Sequence, residues 1–83
     1  MKEVRFTEEA FNQIAGHPYL TEDLIIGIVK DSILEDRKYE DSDHFHITFP
    51  RKKNKKWINV TVIVHEKPHE FLVYGIHSGR VSS

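Results

Sequence analysis

The sequence predicts an α+β domain, in which two N-terminal helices pack on one face of a small antiparallel sheet of three to four strands. The first half has two segments with apolar residues at helical spacing, each preceded by a threonine. The second half has three segments in which large apolar residues alternate with polar ones. Helices followed by consecutive strands are typical of α+β folds, and 83 residues suit a single domain over 1–83.

The first helix is predicted to begin after Thr7, because a threonine hydroxyl can accept a hydrogen bond from a first-turn amide. Phe6 and Phe11 have the spacing of a hydrophobic staple across this cap. We expect the helix to run through about Ala15 and to stop at Gly16.

The second helix repeats the pattern, with Thr21 as its cap and with Leu20 and Ile25 as its staple. Its apolar stripe is broad and extends through Ile33 to Leu34. A stripe this wide predicts that the helix lies across the sheet as its main cover.

The strands are expected at 44–49, 57–65 and 71–77, with a short edge strand at 4–6. The charged segment 35–43 is predicted to be a loop. In the register that buries the most apolar surface, His46 lies across from Thr61 and Thr48 lies across from Asn59 on the open face.

The third strand leaves two alternatives. Either Leu72, Tyr74 and Ile76 are buried and His77 lies on the open face, or Phe71 and Val73 are buried and Tyr74 lies there. We prefer the first alternative, because three large residues fill a core better than two residues with a glycine.

The charges divide the chain into two halves. Residues 1–43 carry 5 basic and 11 acidic side chains, net −6, whereas residues 44–83 carry 7 basic and 2 acidic ones, net +5. This division predicts an anionic partner for the sheet end, and it is equally consistent with attraction between the halves or with a homodimer. The lack of cysteine, of an N-terminal apolar run and of a long apolar stretch predicts a cytoplasmic protein without a membrane partner.

A basic run that ends in a tryptophan is typical of nucleic-acid contact. It joins five cations to an aromatic ring that can stack on a base, at an expected hairpin tip. The alternative is that a lysine-rich turn only keeps strand edges soluble and unpaired. The residues of the run are Arg51, Lys52, Lys53, Lys55, Lys56 and Trp57.

The histidines suggest acid–base chemistry on the open face. His46 and His77 would flank the central strand, so that a phosphodiester could lie between them, with Arg80 stabilising its developing charge. RNA supplies its own 2′-hydroxyl nucleophile, so this reaction would need no metal. The alternative is that both histidines are ordinary polar residues of an outer face.

A metal site is the weaker interpretation of the same residues. His44 and His46 form an H-x-H pair, with His65 or His77 as a third ligand. No carboxylate completes the set, because Asp43 has the opposite strand parity to His44. The sequence therefore predicts no metal and no cofactor.

Four segments together resemble a known family as a pattern of elements: TEEAF at 7–11, LTEDLIIGIV at 20–29, INVTVIV at 58–64 and LVYGIHSGR at 72–80. They resemble the RelE/BrnT-like ribonuclease toxins of the barnase–EndoU–colicin–RelE fold and their uncharacterised small-domain relatives. The resemblance implies a metal-independent endoribonuclease that acts on free RNA or at the ribosome and is neutralised by an antitoxin protein. It also implies a site at His77 and Arg80, supported by His46 and the run 51–56.

A function of another class is also consistent with the sequence. The alternative is a non-catalytic interaction domain, whose sheet face or edge strand binds a protein partner or a second copy. Trp57 and Ile63, exposed beside polar neighbours, would suit such a surface, because aromatic anchors are typical of interfaces.

Overall fold

The protein is an α+β domain with both helices packed against one face of a sheet. A computed structural model describes residues 2–79 in full and, of Arg80, the backbone. Its helices are α1 (Glu8–Ala15) and α2 (Glu22–Asp31), followed by a single 3₁₀ turn at Leu34–Asp36. Its strands are β1 (Glu3–Phe6), β2 (Lys38–Tyr39), β3 (His44–Lys53), β4 (Lys56–Glu66) and β5 (Glu70–Arg80).

The sheet is larger than predicted and is mixed. Its order is β1-β5-β4-β3-β2, and β1 runs parallel to β5 while the other neighbours are antiparallel. The predicted edge strand at 4–6 is therefore present as β1. The prediction of a loop over 35–43 was wrong in part, because this segment contains the 3₁₀ turn and the two residues of β2.

Both predicted helix caps are present. The Thr7 hydroxyl accepts a hydrogen bond from the Ala10 amide at 3.2 Å, and the Thr21 hydroxyl accepts one from the Leu24 amide at 3.1 Å. These bonds satisfy first-turn amides that have no partner within their own helix. The Phe6 and Phe11 rings also meet, with centroids 5.6 Å apart, as a hydrophobic staple requires.

The second helix ends earlier than its apolar stripe predicts. Ser32 is extended, and its hydroxyl donates to the Val29 carbonyl at 2.8 Å, so the chain leaves the helix there. Ile33 and Leu34 are consequently 56% and 71% exposed and do not cover the sheet. Helical spacing alone could not reveal this end, because the apolar residues continue past it.

The core lies between the helices and the inward face of the sheet. Ile25 and Val29 of α2 are fully buried there, together with alternate residues of the central strands. The predicted inward set on β3 and β4 is confirmed, since Phe45 pairs with Val64 and Ile47 with Val62. The buried residues are Ala10, Ile14, Leu20, Ile25, Val29, Phe45, Ile47, Val60, Val62, Val64, Phe71, Val73 and Ile76.

The outward residues of β3 and β4 are shifted by two positions from the predicted pairing. His46 lies across from Ile63 and Thr48 lies across from Thr61. A shift of two residues keeps every side chain on its predicted face, so the burial pattern could not distinguish these two registers.

A β-bulge in β5 makes both predicted registers of this strand partly right. Ile63 pairs with Gly75 but Val64 pairs with Val73, so Tyr74 is the extra residue. The bulge changes which face successive residues occupy. Val73 is therefore buried before it and Ile76 is buried after it, whereas a regular strand would bury only one of them.

The bulge is supported by a side chain of α1. The Ile76 amide donates a 2.8 Å hydrogen bond to Oε1 of Gln13; Ile76 is buried and Gln13 is half-buried. A buried amide without an acceptor would be costly, so this contact fixes the irregular part of β5 against the helix.

We expect Gln13→Leu to destabilise the protein by about 1–3 kcal/mol, because it leaves the Ile76 amide without its acceptor. Urea denaturation with Asn12→Leu as the matched control measures this cost, since Asn12 is exposed on the same helix. Equal effects of the two substitutions would contradict the role assigned to Gln13.

A polar cluster around Glu66, the last residue of β4, lies at one end of the sheet face that packs against the helices. Its carboxylate accepts hydrogen bonds from the Tyr39 hydroxyl at 2.7 Å and from Nζ of Lys2 at 3.1 Å. The Tyr39 hydrogen bond is the main cause that lowers the pKa of Glu66; burial opposes it, and Lys2 and Arg37 add to it. This cluster attaches the short strand β2 to the end of β4.

Candidate functional surfaces of the sheet

The face of the sheet turned away from the helices is called the open face here. At one end it meets the β3–β4 hairpin, and at the other end it meets the turn 40–43 between β2 and β3. The first end carries cations and the second end carries carboxylates. Its residues on β3 and β4 are His44, His46, Thr48, Pro50, Lys52, Trp57, Asn59, Thr61, Ile63 and His65.

The basic run forms a tight hairpin. Lys53 pairs with Lys56 across a two-residue turn, in which Asn54 and Lys55 have φ values of 49° and 67°. Positive φ at both positions is the geometry of a type I′ turn, whose twist matches that of paired strands. The hairpin tip predicted for this run is therefore present.

Strand parity divides the hairpin side chains between the two faces. Lys52 and Trp57 are direct cross-strand neighbours on the open face, and the Trp57 residue is 56% exposed. Arg51 and Lys53 point to the helix side, where Nζ of Lys53 lies 5.2 Å from the centroid of the Tyr19 ring. An exposed indole thus lies next to an exposed ammonium group on one surface.

The hairpin cations are not neutralised by the protein. Within the described residues, no carboxylate lies within ion-pair distance of the run 51–56. Arg51 instead donates a long hydrogen bond of 3.4 Å to the Tyr19 carbonyl. The positive charge of the tip is therefore open to an external anion.

The proposed acid–base histidines share the open face but are not brought together. His77 lies across from Thr61, and His46 lies across from Ile63, so they sit two strands apart and two rows apart. Standard sheet spacings place their backbones about 12 Å from each other. His46 lies 3.4 Å from a Glu40 carboxylate oxygen, and the side chain of Arg80 is outside the described residues.

A different pair of histidines is in direct contact. The rings of His44 and His65 stack with centroids 4.2 Å apart and planes inclined by 13°. Asp43 contacts both, with Oδ1 2.8 Å from Nδ1 of His44 and Oδ2 3.2 Å from Nε2 of His65. The Tyr74 ring, turned outward by the bulge, meets the edge of His44 at 5.9 Å. We call Asp43, His44 and His65 the histidine cluster.

The cluster keeps its carboxylate ionised. Desolvation acts to raise the pKa of Asp43, but the hydrogen bonds to His44 and His65 together outweigh it and lower that pKa. Desolvation, and after it the charges of Glu40 and the neighbouring aspartates, raises the pKa of Tyr74. This end of the open face therefore has a negative potential.

Asp43 does lie beside His44 and His65, so the prediction that no carboxylate joins the histidines was wrong. Asp43 precedes the first residue of β3, so its side chain is not bound to alternate as strand residues do. Its carbonyl accepts a hydrogen bond from the Glu66 amide at 2.7 Å, which holds the turn beside His65. The sequence signal that was available is the D-x-D-H run at 41–44, directly before an outward histidine.

A groove runs along the outer edge of β3. Strand β2 covers β3 only at Phe45 and His46, so in the described part of the chain the edge beyond His46 has no strand partner. The groove between this edge and α2 has a volume of about 730 Å³. Its apolar lining is Leu24, Ile28, Ile47 and Phe49, and its carboxylates are Asp23, Asp31, Glu35 and Asp36.

By its fold the protein is an α+β domain with a mixed sheet. Its open face carries cations at the hairpin end and carboxylates at the end beside the turn 40–43. No protein-family model matches the chain, and comparisons with curated proteins and with solved structures also give no match. The resemblance to RelE/BrnT-like toxins thus stays a prediction. Among the described residues, no helix is long and apolar enough to cross a membrane.

Proposed function

We propose that the protein binds single-stranded RNA through the β3–β4 hairpin and the adjoining part of the open face. The observation that carries the proposal is the pairing of Lys52 with the exposed Trp57 on the open face, at a hairpin whose other cations, on the tip and on the helix side, have no carboxylate partners among the described residues. Single-stranded nucleic acids bind to surfaces that combine backbone-neutralising cations with an aromatic ring on which a base can stack.

The open face extends this surface past the hairpin. Thr48 and Thr61 lie next to each other, with their hydroxyl oxygens 3.0 Å apart, and His77 is exposed beside Thr61. These groups can donate to and accept from base edges or the 2′-hydroxyl. Farther along, the carboxylates of the turn 40–43 repel phosphate, which limits the binding surface to the hairpin half.

A more specific proposal is that the protein also cleaves the bound RNA. This proposal rests on the resemblance to the RelE/BrnT-like toxins. It would use His46 and His77 as acid and base, with Arg80 as the charge stabiliser, and an antitoxin would be the protein partner. The separation of about 12 Å between the two histidine backbones favours binding over cleavage. Encounter with cellular RNA also fits the cytoplasmic location that the lack of cysteine predicts.

The test is a fluorescence-anisotropy titration of a short single-stranded RNA at several salt concentrations. We expect Trp57→Ala to weaken binding by about 1–3 kcal/mol, because a stacking partner is lost, and to leave the slope of affinity against salt unchanged. Single-stranded DNA and duplex RNA of the same sequence serve as comparison ligands. Wild-type binding that is undetectable at low salt, or that is unaffected by salt, would contradict the proposal.

A protein-interaction function is the second candidate, and the groove along β3 favours it. An extended segment could add to the unpaired edge of β3 and place side chains on the apolar floor formed by α2 and β3. The four carboxylates of the groove would favour a basic segment. The RNA titration distinguishes the two candidates, because the groove is acidic and would not bind RNA.

A further inference from the structure

The histidine cluster brings two imidazoles and one carboxylate to a single point on the open face. One donor atom from each of Asp43, His44 and His65 lies within 4.8 Å of the other two. We propose that these three residues bind a divalent transition-metal ion, with Zn²⁺ as the reference ion. The proposal is independent of RNA binding, because the cluster lies at the end of β3 away from the hairpin.

The separations between donor atoms are close to those of a metal site. Nitrogen and oxygen ligands lie about 2.0–2.2 Å from Zn²⁺, so the donors of a tetrahedral site are about 3.3–3.5 Å apart. The two contacts of Asp43 use different oxygens, Oδ1 at 2.8 Å from Nδ1 of His44 and Oδ2 at 3.2 Å from Nε2 of His65, and one donor atom from each residue lies within 4.8 Å of the other two. Rotation of the side chains can close the remaining gap, since the His44 and His65 side chains are 34% and 31% exposed.

Metal binding would set the tautomers of the two imidazoles. Binding needs neutral imidazoles with a lone pair on Nδ1 of His44 and on Nε2 of His65, and a proton on the other ring nitrogen. The Asp43 carboxylate is the oxygen donor, and it already contacts both rings. The ion would replace the hydrogen bonds that now join the carboxylate to the two rings.

The surroundings of the cluster favour a dication. An Asp41 carboxylate oxygen lies 3.8 Å from Nδ1 of His44, and a Glu40 carboxylate oxygen lies 3.4 Å from Nδ1 of His46, the next outward residue of β3. These charges lower the energy of a positive ion and raise that of a phosphate at the same place. The Tyr74 ring also packs against His44, with centroids 5.9 Å apart and planes inclined by 86°.

The donor set indicates the class of ion. Imidazole nitrogen is preferred by Zn²⁺, Co²⁺, Ni²⁺ and Cu²⁺, whereas Mg²⁺ and Ca²⁺ prefer sites made of oxygen alone. Three protein ligands leave a coordination position for water or for an external ligand.

The experiment is calorimetric titration of untagged, EDTA-treated and dialysed protein with Zn²⁺, with Mg²⁺ as the comparison ion. We expect one equivalent of Zn²⁺ to bind and Mg²⁺ not to bind. Asp43→Asn and His65→Gln should each weaken Zn²⁺ binding at least about tenfold, since each replaces one of the three donors, a carboxylate or an imidazole, by a neutral amide that is a weak ligand. His69→Gln is the matched control, because His69 is exposed and outside the cluster.

A second measurement keeps the test independent of variant folding. In the wild-type protein, Zn²⁺ should shift the NMR ring resonances of His44 and His65 and leave those of His69 in place. Binding that is absent, that is lost equally in His69→Gln, or that shifts other histidines instead would overturn the proposal. Zn²⁺ binding that survives in a hairpin variant without RNA affinity separates this site from the RNA-binding proposal.

Discussion

Replacement of Lys52, Lys53, Lys55 and Lys56 by serine should lower the affinity for single-stranded RNA by about 10²- to 10³-fold at 0.1 M salt. Each cation that neutralises a phosphate contributes about 0.7 to the slope of log affinity against log salt concentration, so four contribute about 3. The slope of the variant should fall by the same amount. Anisotropy titrations over a range of salt concentrations measure both quantities.

The matched control removes four cations elsewhere on the described surface, at Arg5, Lys30, Lys38 and Lys67. Both variants have the same net charge, so a general electrostatic attraction would weaken equally in the two. Retention of the wild-type slope by the control would place the phosphate contacts at the hairpin. An equal loss in both variants would instead show that the net charge of the protein, and not the hairpin, determines the affinity.

Phe45→Ala should destabilise the protein by about 3–5 kcal/mol, the cost of removing a buried aromatic ring and leaving a cavity. Phe45 is 1% exposed, and its ring meets Tyr39 at 5.1 Å and Phe71 at 6.0 Å. The guanidinium carbon of Arg37 lies 5.0 Å from the centroid of the Phe45 ring. A domain with a total stability of about 5–10 kcal/mol would lose a large part of it.

Urea denaturation of Phe45→Ala beside Phe11→Ala tests this expectation. Phe11 is 45% exposed and makes one ring contact, with Phe6, so its removal should cost about 1 kcal/mol. If the two variants had the same urea denaturation midpoint, the assignment of Phe45 as a major core residue would be contradicted.

The parts of the fold that depend on local chemistry could be predicted from the sequence. The caps at Thr7 and Thr21 and the inward alternation on β3 and β4 follow from short-range rules and are present. The parallel pairing of β1 with β5 joins segments at opposite ends of the chain, so no local pattern reveals it. The bulge at Tyr74 was also not predicted, because it is a register shift between β4 and β5, and its contact with Gln13 joins residues 63 positions apart.

The candidate sites likewise contain parts that the sequence predicts and parts that depend on contacts between distant segments. The hairpin and its exposed Trp57 could be predicted, since charge, turn position and strand alternation all act within a few residues. The distance between His46 and His77 depends on the register of three strands, which the sequence did not determine. The contact of Asp43 with His65 depends on how the turn 40–43 closes over the end of β4.

The pairing of β1 with β5 has a consequence for the route by which the chain folds. Glu3 pairs with Glu70, so 63 of the 83 residues lie between the two strands, and the closure of this long loop is entropically costly. The meander of β3, β4 and β5 joins neighbours through short turns and can form first. We therefore expect β1, which is synthesised before the other four strands, to reach its place after them, because its partner β5 is the last of the five strands in chain order.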